Sequence, residues 1–125
     1  MIHILLIGAG GFFGAISRYL ISKYLNNLIS MFPFGTLSVN VFGSFILGFI
    51  LYSTSYGKTL PGNFRDMLTI GFIGAFTTMS SMAYESFRLA ELNEILISSI
   101  NIILNIFLCL LAVYFGKELT TLINN

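Results

Sequence analysis

Apolar residues fall along this chain in four long stretches separated by short polar breaks. A charge-free run from Met1 to Ser17 stays apolar past Arg18 to about Leu25, and others run from about Pro33 to Tyr56, Asp66 to Leu92 and Ile95 to Gly116. Each supplies the roughly 20 residues a helix needs to cross a hydrocarbon core. The breaks carry turn chemistry: Asn26 to Phe32, before a proline (Pro33) suited to a helix's first turn, and Gly57 to Arg65, with Lys58, Pro61, Gly62 and Asn63. Lys117 and Glu118 mark the last exit. The pattern predicts an all-α integral membrane protein, a single domain over residues 1–125 with helices at about 2–25, 33–56, 66–92 and 95–116.

Composition agrees. Of 125 residues, 56% are hydrophobic and 9% charged, against about 25% charged in soluble domains. With a mean hydropathy of +0.90, a soluble core of this size has no means of hiding so much apolar surface. The net charge of +1 excludes a protein that binds nucleic acid by neutralising phosphates. The first stretch lacks the basic start of a signal peptide, and three similar stretches follow it. Cys109 is the single cysteine, lies in an apolar run and reads as a small packing residue.

The third stretch breaks the pattern. Gly71-Phe72-Ile73-Gly74-Ala75-Phe76-Thr77-Thr78-Met79-Ser80-Ser81-Met82 holds two glycines and four hydroxyl residues, and nothing charged falls between Met67 and Tyr84. Glycine costs backbone entropy in a helix, and Ser and Thr compete for backbone hydrogen bonds. A helix broken near residues 74–80 is therefore expected, and at membrane depth such a break is tolerated where it lines a cavity or binds an ion. Further on, Glu85, Arg88 and Glu91 recur at i,i+3, the spacing of a solvated helix end.

Other polar positions form stripes. Thr36, Asn40 and Ser44 recur every four residues beside an aromatic stripe of Phe42, Phe45 and Phe49. Asn101 and Asn105 lie one helical turn apart and need a polar stripe opposite them. The run from Ile4 to Ala15 imitates a dinucleotide-binding glycine fingerprint, but the first carboxylate is Asp66 and no βαβ unit surrounds it. Gly10 and Gly14 read instead as a small face where another helix approaches closely. Arg18 near the end of this helix suits either a snorkelling interface residue or an electropositive lip for an anion path.

Catalysis finds little to work with. His3 is the only histidine, and no carboxylate lies between Ile2 and Asn63, so neither a catalytic triad nor a histidine metal cluster can form. What remains is polar but uncharged: Thr36, Asn40, Ser44, Thr77, Thr78, Ser80, Ser81, Asn101 and Asn105. Such donors suit a small hydrated ion held firmly enough to enter and loosely enough to leave. Carbonyls freed at the break favour a cation such as Na⁺, and freed N–H groups favour an anion. Physics alone reaches a small-ion conduit without naming the ion. Orientation is equally open, since Lys58, Arg65 and Lys117 on one side balance Arg18, Lys23 and Arg88 on the other. A chain without positive-inside bias can insert both ways and build an antiparallel homodimer.

Three motifs in order then carry a resemblance: Gly-Gly-x-x-Gly-Ala-x-x-Arg-Tyr from Gly10 to Tyr19, Phe-Pro-x-Gly-Thr-Leu-x-Val-Asn-x-x-Gly-x-Phe from Phe32 to Phe45, and Gly-Phe-x-Gly-x-x-Thr-Thr-x-Ser from Gly71 to Ser80. With them the chain resembles the CrcB/Fluc family of fluoride channels over effectively its whole length. The resemblance implies a multi-pass inner-membrane protein, assembled as a dual-topology antiparallel homodimer with two pores, that passively exports F⁻ from the cytoplasm. It implies a central structural Na⁺ held by backbone carbonyls at positions matching Gly74 and Thr77 of both subunits. Asn40 matches the family's pore asparagine, Arg18 its first-helix arginine, and Glu85 an acidic residue after the break.

The chain departs from that family where Thr-Thr-Phe-Ser-Thr-Phe is usual, carrying Thr77-Thr78-Met79-Ser80-Ser81-Met82. Met79 and Met82 are then expected at the pore-facing positions, offering polarised methyl groups where phenyl edges would stand. Asn101 and Asn105 stand where many relatives carry Tyr and Ser. The expected anion path comprises Asn40, Met79, Met82, Thr78, Ser80, Ser81, Thr36, Asn101, Asn105 and Arg18. Two alternatives come from other classes. A small multidrug exporter is also a four-helix dimer, but wants a glutamate in its first helix, and none is present. A non-conducting or heteromeric partner subunit would account for the two methionines.

Overall fold

The computed structural model describes residues 1–28, 31–55, 57 and 60–124. The described residues are helical with no strand: α1 (Ile2–Leu28), α2 (Phe34–Ser55), α3 (Gly62–Asp66) continuing through a π-helical turn (Met67–Ile73) into α4 (Gly74–Phe76), then α5 (Met79–Glu91) and α6 (Ile95–Asn124). Counting Gly62–Glu91 as one span, four helices are long and apolar enough to cross a membrane. Tyr56, expected at the end of the second helix, and Lys58, expected in the following loop, lie outside the described residues.

Boundaries depart from the sequence reading where side chains extend a helix. Asn26 and Asn27 belong to α1, and Asn26 Oδ1 accepts the Gly35 N–H at 2.8 Å. One of the orphan N–H groups opening α2 is thus capped from α1. The third span starts at Gly62, because the Pro61 carbonyl accepts from the N–H groups of Phe64 (2.9 Å) and Arg65 (3.0 Å). α6 runs on past Gly116 because Thr120 beyond it is fully buried, donating to the Gly116 carbonyl (3.0 Å) and the Phe49 carbonyl of α2 (3.2 Å).

Packing divides into two tight pairs: α2 lies chiefly against α6, and α1 against the π-helical turn. Lipid tails are as apolar as the side chains, so helices associate through close contact rather than hydrophobic drive. Gly10 and Gly14 are buried, and an added Cβ would collide with the Met67 carbonyl and the Phe72 backbone respectively. Gly71 meets α1 from the other side at Ile7 and Gly10. In the second pair, Gly48 faces the Val113 backbone and Gly116 the Phe45 carbonyl. His3 Nε2 lies 3.0 Å from Asp66 Oδ2, so α1 and the third span begin at the same end of the bundle.

Gly14→Ala should therefore cost about 1–3 kcal/mol by overpacking, read as a lower unfolding temperature in detergent. Gly11→Ala, whose Cβ would meet only the Gly71 carbonyl at 3.8 Å, should be neutral or slightly stabilising, since alanine is the better helix former.

Candidate functional site

One cavity of about 800 Å³ is lined by Leu37, Val41, Phe42, Phe45, Leu108 and Phe115 among others, and offers almost no polar chemistry. The chemistry lies elsewhere. Near the middle of the third span the backbone leaves the helix: Thr77 sits at φ −85°, ψ 155° and Thr78 at φ −153°, ψ 112°. Extended residues inside a span lose their helical hydrogen bonds and must find others.

Asn40 supplies them. From α2 its Oδ1 accepts the Thr78 N–H at 2.7 Å, and its Nδ2 donates to the Thr78 carbonyl at 3.1 Å. One carboxamide thus pairs with both backbone groups of one residue, as a neighbouring strand would. Its remaining hydrogen goes to Asn105 Oδ1 at 2.8 Å. Asn105 Nδ2 donates to the carbonyl and Oδ1 of Asn101, both at 3.0 Å, and Asn101 Nδ2 donates to Ser86 Oγ at 2.9 Å. Ser86 Oγ donates to the Met82 carbonyl at 2.8 Å, and Ser98 Oγ to the Ser86 carbonyl at 2.7 Å. Asn101, Asn105, Ser86 and Ser98 are all buried.

The same rearrangement redirects two donors. Thr78 N–H serves Asn40 instead of the Gly74 carbonyl four residues back, and Ser81 N–H caps on Thr78 Oγ1 (3.1 Å) instead of serving Thr77. The Gly74 and Thr77 carbonyls therefore lack their α-helical i+4 donors. Backbone carbonyls are hard oxygen ligands of the kind that hold alkali and alkaline-earth cations, so the donor set fits a Na⁺. Gly74 is exposed on the surface of this chain, as are Met79 and Ser80.

Two cavities meet at Thr78. One, about 280 Å³, is lined by Asn40, Ser44, Thr77, Thr78, Met79, Met82, Asn105 and Cys109 among others. The other, about 360 Å³, is lined by Arg18, Lys23, Asn26, Thr36, Thr78, Ser81 and Glu85 among others. The second mixes two basic side chains with one acid. Thr36 Oγ1 donates to Glu85 Oε1 at 2.6 Å, while Glu85 Oε2 is buried without a partner among the described residues. Ser80 Oγ lies 3.2 Å from Thr78 Oγ1.

Every expected path residue thus borders or bonds to this region, in two groups. Asn40, Thr78, Met79, Met82 and Asn105 share the first cavity, with Asn101 behind Asn105; Arg18, Thr36 and Ser81 share the second, and Ser80 lines neither but contacts Thr78 Oγ1. Met79 is 69% exposed and Met82 only 3%, so the two sulfurs occupy different environments. Arg88 and Glu91 form the expected exposed pair at 3.1 Å, but Glu85 leaves that ladder and turns inward to Thr36. Ser86 and Ser98 escaped the sequence reading. Ser86 was legible as the only hydroxyl one turn past Met82, on the face the two buried amides must meet.

A family model described as CrcB-like protein, Camphor Resistance (CrcB), matches residues 5–117. The chain belongs to the CrcB family. It is similar to "Fluoride-specific ion channel FluC 1" of Methanosarcina acetivorans, with 46% identity over 94% of this chain and 89% of that one. It is 50% identical to "Fluoride-specific ion channel FluC" of Methanococcus maripaludis over 94% of both chains. A Campylobacter lari protein of the same name is 44% identical over 90% of this chain and 93% of its own. In this CrcB chain the three motif regions supply Arg18, Thr36, Asn40 and Thr78, which the fold gathers around the two cavities.

Asn40→Ala removes three hydrogen bonds and strands both backbone groups of Thr78. At roughly 0.6 kcal/mol for each intramembrane bond, and more where a group is left bare, the expected loss is about 2 kcal/mol in reversible unfolding. Ser44→Ala, in the same cavity wall, should change stability little.

Proposed function

We propose that this chain forms a fluoride-selective channel through which F⁻ leaves the cytoplasm passively across the inner membrane. The observation that carries the reading is near-full-length identity to proteins named fluoride-specific ion channels. Two cavities that share Thr78 support a route from the one bordered by Arg18 and Lys23 to the one bordered by Asn40, Met79 and Met82. Hydroxyl and amide groups line the Asn40 cavity without a fixed charge, which suits rapid entry and exit of a dehydrated anion.

The functional unit is an antiparallel homodimer with two such pores. Support comes from the exposure of Gly74, Met79 and Ser80 around the break, since carbonyls lacking helical donors are not left facing lipid. Facing copies would bring the Gly74 and Thr77 carbonyls of both subunits around one Na⁺. Bound there, the ion supplies positive charge that fixes the two breaks against each other. The even split of basic residues between the two ends supports insertion in both orientations.

Liposomes holding the purified protein and KF, with valinomycin to carry K⁺, test the reading with a fluoride electrode. Fast F⁻ release is expected, with none of Cl⁻ from KCl-loaded vesicles; silence from folded dimer would point instead to a heteromeric subunit. Restoring phenylalanine (Met79→Phe, Met82→Phe) should alter the rate and preserve Cl⁻ exclusion. Na⁺ should raise the unfolding temperature of the dimer over the same concentration of choline, by stabilising the state that binds it.

A further inference from the structure

The polar chain behind the break runs in a single direction. Thr78 N–H donates to Asn40 (2.7 Å), Asn40 to Asn105 Oδ1 (2.8 Å), Asn105 to Asn101 (3.0 Å), Asn101 to Ser86 (2.9 Å) and Ser86 to the Met82 carbonyl (2.8 Å). It starts at the break and ends one turn beyond it, after passing through α2, α6 and α5. Chains of this kind polarise one another, each link strengthening the next.

Both amide hydrogens of Asn40 are consequently engaged, one by the Thr78 carbonyl and one by Asn105 Oδ1. An anion arriving in the cavity that Asn40 and Asn105 line together therefore finds no spare donor on Asn40. It must take a hydrogen from one of those two acceptors. Taking the Thr78 bond undoes the pairing that holds the break. Taking the Asn105 bond leaves the break intact and releases only a side-chain oxygen. That oxygen is nonetheless costly to release, because Asn105 is 3% exposed and its Nδ2 is already committed to Asn101.

We propose that Asn105 is a positioning residue that restrains Asn40, competing with the permeating fluoride for one of its two amide hydrogens and so setting the channel's apparent affinity and rate. The inference rests on the fluoride-channel reading. It has a direction that simple packing lacks: removing Asn105 should improve anion access.

The test is single-channel recording in planar bilayers across a range of fluoride concentrations, with the full chain and with Asn105→Ala and Asn105→Ser. The serine hydroxyl can donate back to the Asn101 carbonyl in the manner usual for helical serines, which keeps α6 satisfied while withdrawing the acceptor from Asn40. One released hydrogen bond should lower the half-saturating fluoride concentration about three- to tenfold in both variants, with chloride still excluded. Conducting variants from a silent parent would support the inference even more directly. A half-saturation that is unchanged or raised, with the parent conducting, overturns it and leaves the channel reading standing. Silence of all three proteins overturns both. A measurement on the unaltered protein covers the case in which neither variant folds: in ¹⁵N-asparagine-labelled protein, fluoride but not chloride should shift the side-chain amide signals of Asn40 and Asn105. No shift up to saturating fluoride overturns the proposal.

Discussion

The structure depends on one carboxamide meeting one extended residue. Thr78 lies inside a membrane span with an extended backbone, so its N–H and carbonyl must find partners outside the helix. Bare, its N–H and carbonyl would each cost several kcal/mol. Asn40 answers both with the geometry of a β-partner. The neighbouring chemistry is arranged so that this contact can form. Gly43, one turn along α2, leaves the space that the Thr77 methyl group fills, and a side chain there would push α2 away from the break.

The remaining packing holds the two partners in register. α1 fixes the third span from one side, through glycines that let Gly10 and Gly14 touch the backbone of the π-helical turn. α6 fixes α2 from the other, through Gly48 and Gly116. Without a hydrophobic drive between helices, such backbone-to-backbone contacts are where rigidity comes from. The π-helical turn lies just before the break, and the extra residue that such a turn accommodates is a common accompaniment of functional sites. The Asn105–Asn101–Ser86 chain then ties α6 to α5 beyond the break, so both sides of the interruption are held by different helices.

Much of this was legible in one dimension. Span length and charge-free runs are properties of sequence alone, so four helices and their order could be read directly. The poor helix-forming run from Gly71 to Met82 marked where the third span was under strain, because propensity is local. Partners were not legible. Thr36 and Asn40 share one stripe by their spacing, yet Thr36 bonds Glu85 in one cavity and Asn40 bonds Thr78 in the other. Asn101 and Asn105 were expected to meet a polar stripe opposite them, and they meet two different helices: Asn105 bonds Asn40 of α2 and Asn101 bonds Ser86 of α5. Glu85 had the spacing of a surface ladder, and only the fold shows that its face turns inward. Periodicity tells which residues lie on one side of a helix, while crossing geometry decides what lies opposite.

The two methionines show how far a substitution pattern can mislead when read as a unit. Met79 and Met82 stand where the family resemblance leads one to expect two phenylalanines, which suggests two equivalent pore-lining groups. Their environments differ. Met82 is buried, its sulfur 3.8 Å from Ser86 Oγ and its carbonyl the end of the amide chain. Its side chain forms a packed part of the first cavity's wall, a task for which a flexible thioether is well suited. Met79 stands exposed, as Gly74 and Ser80 do, and also borders the first cavity. The two positions where the resemblance implies aromatic edges are therefore unequal. Both side chains still line the first cavity, Met79 from an exposed position and Met82 from a packed one.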